Sequence, residues 1–142
     1  MPFRPRATLT ALLALAAAPA LACSVTSTGL RFGTIDPLAG QAATATASVN
    51  VDCPEAGGYT LTVSPGHGDY AERYLLAGER RLFYNVYADP AHGQVVGDGG
   101  GVSVAVSGDG PATTHTLHGL MPAQPGAVPG VYTDQLVITV SY

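Results

Sequence analysis

Four histidines are the residues whose type could support metal binding or acid–base catalysis in this chain. Only His115 and His118 are close in sequence, and residues three apart on a strand point to opposite faces. They cannot chelate one metal as a helical pair could. His67 and His92 fall among turn residues and are expected at the surface. We therefore predict no metal site and no bound cofactor.

A hydrolase is the enzymatic alternative, and its best candidates are His67 and Asp69. No Gly-x-Ser-x-Gly motif accompanies them, so a catalytic triad is not supported. The glycine-rich run 97–102 leads into a strand, whereas a phosphate loop needs a helix N-terminus. Asp98 and Asp109 stand alone among glycines, without the regular oxygen spacing of a calcium loop. The sequence therefore favours a protein that is not an enzyme.

Cys23 and Cys53 are the two cysteines of the chain. In an exported protein without other metal ligands, two cysteines most simply form one disulfide. Closing a loop of about 30 residues would stabilise the fold by roughly 3–4 kcal/mol in the chain-entropy model. The alternative is that Cys23 carries a lipid anchor. Lipoprotein signals usually place Leu three residues before that cysteine, whereas Ala20 stands there and Leu21 lies two before it.

Residues 1–22 have the pattern of a secretory signal peptide. Two arginines precede a largely apolar run over 7–18, and Ala20-Leu21-Ala22 forms a small-x-small cleavage site. The apolar run is shorter than the roughly 20 residues that cross a bilayer, so no membrane span is predicted. Cleavage between Ala22 and Cys23 would leave an acidic domain over 23–142.

Composition favours one turn-rich domain. A length of 142 residues suits a single domain, and 18 Gly with 11 Pro exceed average usage. All six basic residues are Arg, and they face ten acidic residues. The chain lacks the basic surface that phosphate neutralisation requires, so no nucleic acid partner is expected.

Alternation of apolar and polar residues with a period of two is the main structural signal, and it is clearest over 43–53. About seven short strands separated by turns predict an antiparallel β-sandwich. Residues 71–81, interrupted by Gly78, are expected to form one or two helical turns or a polar crossover. The predicted strands cover 24–32, 43–53, 59–64, 82–88, 102–107, 113–120 and 131–142.

The last predicted strand has a strong apolar face formed by Leu136, Ile138, Val140 and Tyr142, and no charge follows Asp134. An uncovered edge strand of this kind invites pairing with another chain. One interpretation is an ordinary strand paired within its own sandwich. The other is an incomplete sandwich that receives its missing strand from a partner, as in donor-strand complementation.

Seven groups of motifs in the chain follow one another in a characteristic order and spacing. They are Phe32-Gly33-Thr34-Ile35-Asp36-Pro37, Val49-x-Val51-x-Cys53, Tyr59-Thr60-Leu61 before Ser64-Pro65-Gly66, the run from Leu82 to Asp89, Gly97-Asp98-Gly99, the run from Gly119 to Gln124, and the run from Gly130 to Tyr142. Together they resemble the spore coat protein U domain family, which includes subunits of archaic chaperone–usher pili. The resemblance covers the whole of 23–142.

The resemblance implies an incomplete immunoglobulin-like sandwich with a disulfide between Cys23 and Cys53. It also implies a secreted subunit that a periplasmic chaperone binds and an outer-membrane usher hands over to other pilus subunits at the cell surface. The assembly strand would present Leu136, Ile138, Val140 and Tyr142 to the groove for the donor strand.

Two departures from the family pattern modify these expectations. Val96 stands where the family often has Trp before Gly-Asp-Gly. A polymerising subunit also carries a donor segment ahead of its first cysteine, and the mature chain would begin at Cys23. The expectation is therefore a terminal or minor pilus subunit, a stand-alone spore-coat-like component, or a domain completed only by a chaperone-like partner. The alternative function is a stand-alone secreted carbohydrate- or surface-binding module that uses Tyr70, Arg73 and Tyr74.

Overall fold

The computed structural model describes residues 22–55 and 57–142, so the predicted signal peptide lies outside it except for Ala22. In these residues the chain forms ten strands and one 3-10 turn at Pro37–Ala39. No helix in the described part is long and apolar enough to span a bilayer. The strands are β1 (Ser24–Ser27), β2 (Ala43–Asp52), β3 (Gly58–Val63), β4 (Arg73–Ala77), β5 (Arg80–Tyr87), β6 (Val95–Val96), β7 (Ser103–Val104), β8 (Val106–Asp109), β9 (Ala112–Met121) and β10 (Ile138–Ser141).

Two sheets built from these strands form the predicted β-sandwich. The larger sheet has the order β1-β2-β9-β5-β6-β7, with β4 beside β5. The smaller sheet has the order β10-β3-β8, so β10 lies at its edge. All strand pairs are antiparallel except β6 with β7. The all-β sandwich is thus confirmed.

The core lies between the two sheets and follows from the alternation in the sequence. Strands β2 and β9 pair over ten residues, and their Thr and Ser side chains mostly point away from the core. Val49 and Val51 of β2 face Leu61 and Val63 of β3, and all four side chains are at most 1% exposed. Burying each such side chain stabilises the fold by about 1.5–3 kcal/mol.

Three predicted segments differ from the structure. Residues 71–81 are neither helical nor a crossover, because β4 and β5 form a tight hairpin in which Gly78 takes a φ of +63°. The predicted strand over 102–107 is divided at Ala105, since β7 belongs to the larger sheet and β8 to the smaller one. The last strand is shorter than predicted, because Thr133 bridges to Leu76 of β4 before the chain reaches β3 at Ile138.

A disulfide joins Cys23 to Cys53 across the ends of β1 and β2. The pair lies next to the cross-strand partners Ser24 and Asp52, so the bond fastens β1 to the edge of the larger sheet. A Cys23 sulfur in this bond is not free to carry a lipid, and the structure therefore favours the disulfide over the anchor.

Candidate functional site

A cleft of about 380 Å³ opens between the two sheets on the side of β10. We call it the groove. The smaller sheet contributes Val63 and Ile138 to its lining, with Leu136 from the segment before β10. The larger sheet contributes Ala47, Leu117 and Val86. The groove is therefore an apolar opening into the core.

Strand β10 forms one border of the groove. It pairs with β3 on one side, where Ile138 lies opposite Val63 and Val140 opposite Leu61. Leu136, Ile138 and Val140 pack toward the core yet remain half-exposed, which leaves apolar surface open to solvent. Of the predicted assembly residues, only Tyr142 lies outside this arrangement, because its side chain is 68% exposed.

The segment over 28–36 forms the other border. It follows β1 without strand structure, and it inserts Leu30 and Phe32 between the sheets. The Phe32 ring packs edge-on against Tyr84 at 5.8 Å between ring centroids. Gly119 of β9 makes this approach possible, because a Cβ there would lie 2.6 Å from Leu30 Cδ2 and 2.9 Å from Phe32 Cζ.

A buried carboxylate holds the mouth of the groove together. The Asp134 side chain is 3% exposed, and its Oδ1 lies 2.8 Å from His67 Nδ1 and accepts a hydrogen bond from the His67 amide at 3.0 Å. Its Oδ2 accepts a hydrogen bond from the Tyr84 hydroxyl at 2.6 Å. Burial, and then this bond, raise the pKa of Tyr84 well above its ordinary value, so the hydroxyl remains a donor. These contacts fix the chain immediately before Leu136.

Replacing Asp134 by Ala should lower the free energy of unfolding by roughly 2–3 kcal/mol, because the buried Tyr84 hydroxyl and the His67 amide lose their acceptor. Tyr84→Phe should cost less, about 1 kcal/mol, since the ring and its packing remain. Urea unfolding of both variants and of the double variant measures the coupling. If the losses in unfolding free energy of the two single variants add up to that of the double variant, the hydrogen bond between Tyr84 and Asp134 does not stabilise the mouth of the groove.

Arg73 is fully buried, which corrects its predicted place on a binding surface. Its guanidinium donates to Asn85 Oδ1 at 2.5 Å and to two backbone carbonyls, those of Ser64 at 3.0 Å and Val96 at 2.7 Å. Burial lowers the pKa of the group. Ser64 in turn bonds to Val137 through both its amide and its hydroxyl. Arg73 therefore supports the C-terminal end of β3, to which the start of β10 is hydrogen-bonded.

The two tyrosines predicted with Arg73 also have packing partners. The Arg73 guanidinium lies over the Tyr70 ring, with 5.3 Å between Arg73 Cζ and the centroid of that ring. Tyr74 stacks on His67 at 5.8 Å between ring centroids, and Arg81 lies 4.4 Å from its ring. With Arg73 buried, the proposed trio does not form an exposed sugar-binding surface.

The fold separates the residues that were considered for catalysis and metal binding. His67 contacts Asp134, whereas the Asp69 carboxylate caps its own loop by accepting from the amides of Ala71 and Glu72. His115 lies 2.6 Å from the Tyr59 hydroxyl, in a hydrogen bond. Within the described residues, no group of three or more His, Cys, Asp or Glu side chains is arranged to hold a metal ion.

Comparison with solved structures finds a similar fold. The chain matches one in the crystal structure of the CsuC–CsuE chaperone–tip adhesion subunit pre-assembly complex from archaic chaperone-usher Csu pili of Acinetobacter baumannii, with a TM-score of 0.56 and 13% sequence identity. The match covers 85% of this chain and 39% of that chain. No curated protein matches the sequence.

A comparison with protein families gives the membership. The model of the Spore Coat Protein U domain matches residues 9–139, which is most of the chain. The groove, the disulfide and the sandwich described above all lie within that match, apart from the last residues of β10. The chain belongs to the Spore Coat Protein U domain family.

Proposed function

We propose that this protein is a secreted structural subunit of a chaperone–usher adhesive pilus, or of a spore-coat-like surface layer, assembled by donor-strand complementation. The observation that carries the proposal is the groove, bordered by the segment over 28–36 and by the edge of β10 that pairs with no other strand of the described chain. The role is structural and not enzymatic.

The shape of the sandwich supports the insertion of one more strand. Within the described residues, three strands of the smaller sheet face a larger sheet of seven, and Leu136, Ile138 and Val140 remain partly exposed. A donor strand beside β10 would bond to its free backbone groups and would place alternate apolar side chains in the groove. The same insertion would remove an edge that is otherwise open to aggregation.

The comparisons and the signal sequence suggest the partners. The solved structure of similar fold contains a chaperone and a tip adhesion subunit of an archaic chaperone-usher pilus, which supports a terminal or minor position for this chain. We infer that the signal peptide is cleaved between Ala22 and Cys23, and that the domain over 23–142 folds in the periplasm. A periplasmic chaperone would fill the groove, and an outer-membrane usher would then join the subunit to others at the cell surface.

Co-purification from periplasm tests this function. The full-length precursor is co-expressed with a periplasmic chaperone of a chaperone–usher system from the source organism, and the complex is isolated through a tag on the chaperone. We expect a 1:1 complex that is lost when residues 137–142 are deleted. A subunit that is never recovered with the chaperone, or that is recovered equally after the deletion, would contradict the proposal.

A further inference from the structure

The fold brings together two histidines that are far apart in the sequence. Pairing of β5 with β9 places His118 opposite Tyr87 on the outer face of the larger sheet. The turn after β5 then folds His92 over the same tyrosine, with 5.1 Å between the ring centroids. The His92 and His118 rings lie 6.5 Å apart between centroids and nearly perpendicular, at 84°.

The turn that carries His92 is held in a costly conformation. His92 has a φ of +56° and is the only non-glycine residue with a positive φ in the described chain. The left-handed conformation is unfavourable for a residue that carries a Cβ. Asp89 holds the turn through hydrogen bonds to its carboxylate from the amides of Gly93 at 3.0 Å and Gln94 at 2.7 Å. The arrangement directs the His92 ring to the sheet.

The separation of the two rings suits a shared metal ion. Imidazole nitrogens bind Zn²⁺ at about 2.0–2.1 Å, so two imidazoles on one ion have ring centroids roughly 5 to 6.5 Å apart between tetrahedral and linear angles. The observed spacing of 6.5 Å is at the upper end of that range, where the two imidazoles lie on opposite sides of the ion, as in the tetragonal geometry that Cu²⁺ prefers. We propose that His92 and His118 form a two-histidine site for a divalent transition metal such as Zn²⁺ or Cu²⁺, with water completing the coordination.

The charges around the pair favour a cation. The Asp89 carboxylate belongs to the same turn as His92, whose amide donates to the Asp89 carbonyl at 3.1 Å. Neutral imidazole is a good ligand for Zn²⁺ and Cu²⁺. The two cross-strand neighbours of His118, Thr46 and Tyr87, are uncharged. A bound metal ion would therefore meet one nearby negative charge.

The site lies on the side of the larger sheet that faces away from the groove. His118 is flanked in β9 by Leu117 and Gly119, which are buried and face the smaller sheet. Alternation along the strand then directs His118 outward. Metal binding would thus be available to a subunit whose groove is already filled, and it is independent of donor-strand insertion.

Isothermal titration with Zn²⁺ and with Cu²⁺ tests the site on the mature, disulfide-bonded chain after removal of any purification tag. His92→Asn is the preferred change at the turn, because Asn tolerates a positive φ. His118→Gln removes the second ligand. We expect each variant to lose at least tenfold in affinity relative to the unchanged chain.

His115→Gln is the matched control, since it changes a histidine of the same strand on the opposite face while Gln can still bond to Tyr59. It should leave the affinity unchanged. A 1:1 titration that His92→Asn and His118→Gln do not affect, or one that His115→Gln weakens equally, would overturn the proposal. No measurable binding of either ion to the unchanged chain would also overturn it.

Discussion

Replacing Arg73 by Met should lower the free energy of unfolding by about 2–4 kcal/mol, because each buried acceptor that loses its donor costs roughly 1–3 kcal/mol. Met keeps most of the side-chain volume, so the loss would come from the hydrogen bonds. The carbonyls of Ser64 and Val96 would be left buried without this donor. A loss of this size is a large part of the 5–15 kcal/mol that stabilises a typical domain.

Arg81→Met provides the control for this measurement. Arg81 is exposed and lies over the Tyr74 ring at 4.4 Å, so its replacement should cost less than about 1 kcal/mol. Both variants are unfolded in urea with the disulfide intact. If Arg73→Met stays within 1 kcal/mol of the unchanged chain, the buried guanidinium does not hold the strand ends around the groove.

Changing Ile138 to Asp should reduce recovery of the chaperone complex at least tenfold. Ile138 lines the groove, and a donor strand would bury it completely. Asp would place an unpaired charge in that apolar site, which costs several kcal/mol. A tenfold loss of affinity corresponds to about 1.4 kcal/mol of binding free energy. The cost of burying the Asp charge is therefore large enough for the expected loss of recovery. The measurement is the yield of subunit on a tagged chaperone, normalised to the total subunit in the periplasm.

Val137→Asp is the matched control, because Val137 is adjacent but 57% exposed and points away from the groove. Its complex should be recovered at close to the normal yield. Ile138→Ala separates binding from folding, since it removes apolar contact without introducing a charge, and it should reduce recovery by a smaller factor. Equal recovery of the Ile138→Asp and Val137→Asp complexes would show that a donor strand does not use this face.

The local patterns of the sequence predicted most of the sandwich. Alternation identified β2, β3 and β9, because each has one face in the core and one in solvent. It also identified β5, whose two faces are both largely covered, as expected for a strand inside the sheet. It also identified the face of Leu136, Ile138 and Val140, although the regular strand starts only at Ile138. Strand β4 was missed because Arg73 broke the apolar pattern. The Gly78-Glu79 turn was the available signal for that hairpin.

Contacts between distant residues could not be predicted in this way. The approach of Asp134 to His67 depends on how the chain crosses from β4 to β3, and a period-two pattern carries no information about that path. The approach of His92 to His118 likewise depends on the β5–β9 register and on the turn held by Asp89. Burial of Arg73 depends on acceptors from three separate parts of the chain.

Amide hydrogen exchange along β10, resolved by residue with NMR, tests the central claim that a partner strand fills the groove. In the β3–β10 pairing, the amides of Thr139 and Ser141 point to β3, and those of Ile138 and Val140 point to the free edge. In the chaperone complex, we expect exchange at Ile138 and Val140 to slow by at least about a hundredfold relative to the free chain, with little change at the other two. Equally fast exchange at Ile138 and Val140 in the free chain and in the complex would contradict donor-strand insertion at this edge.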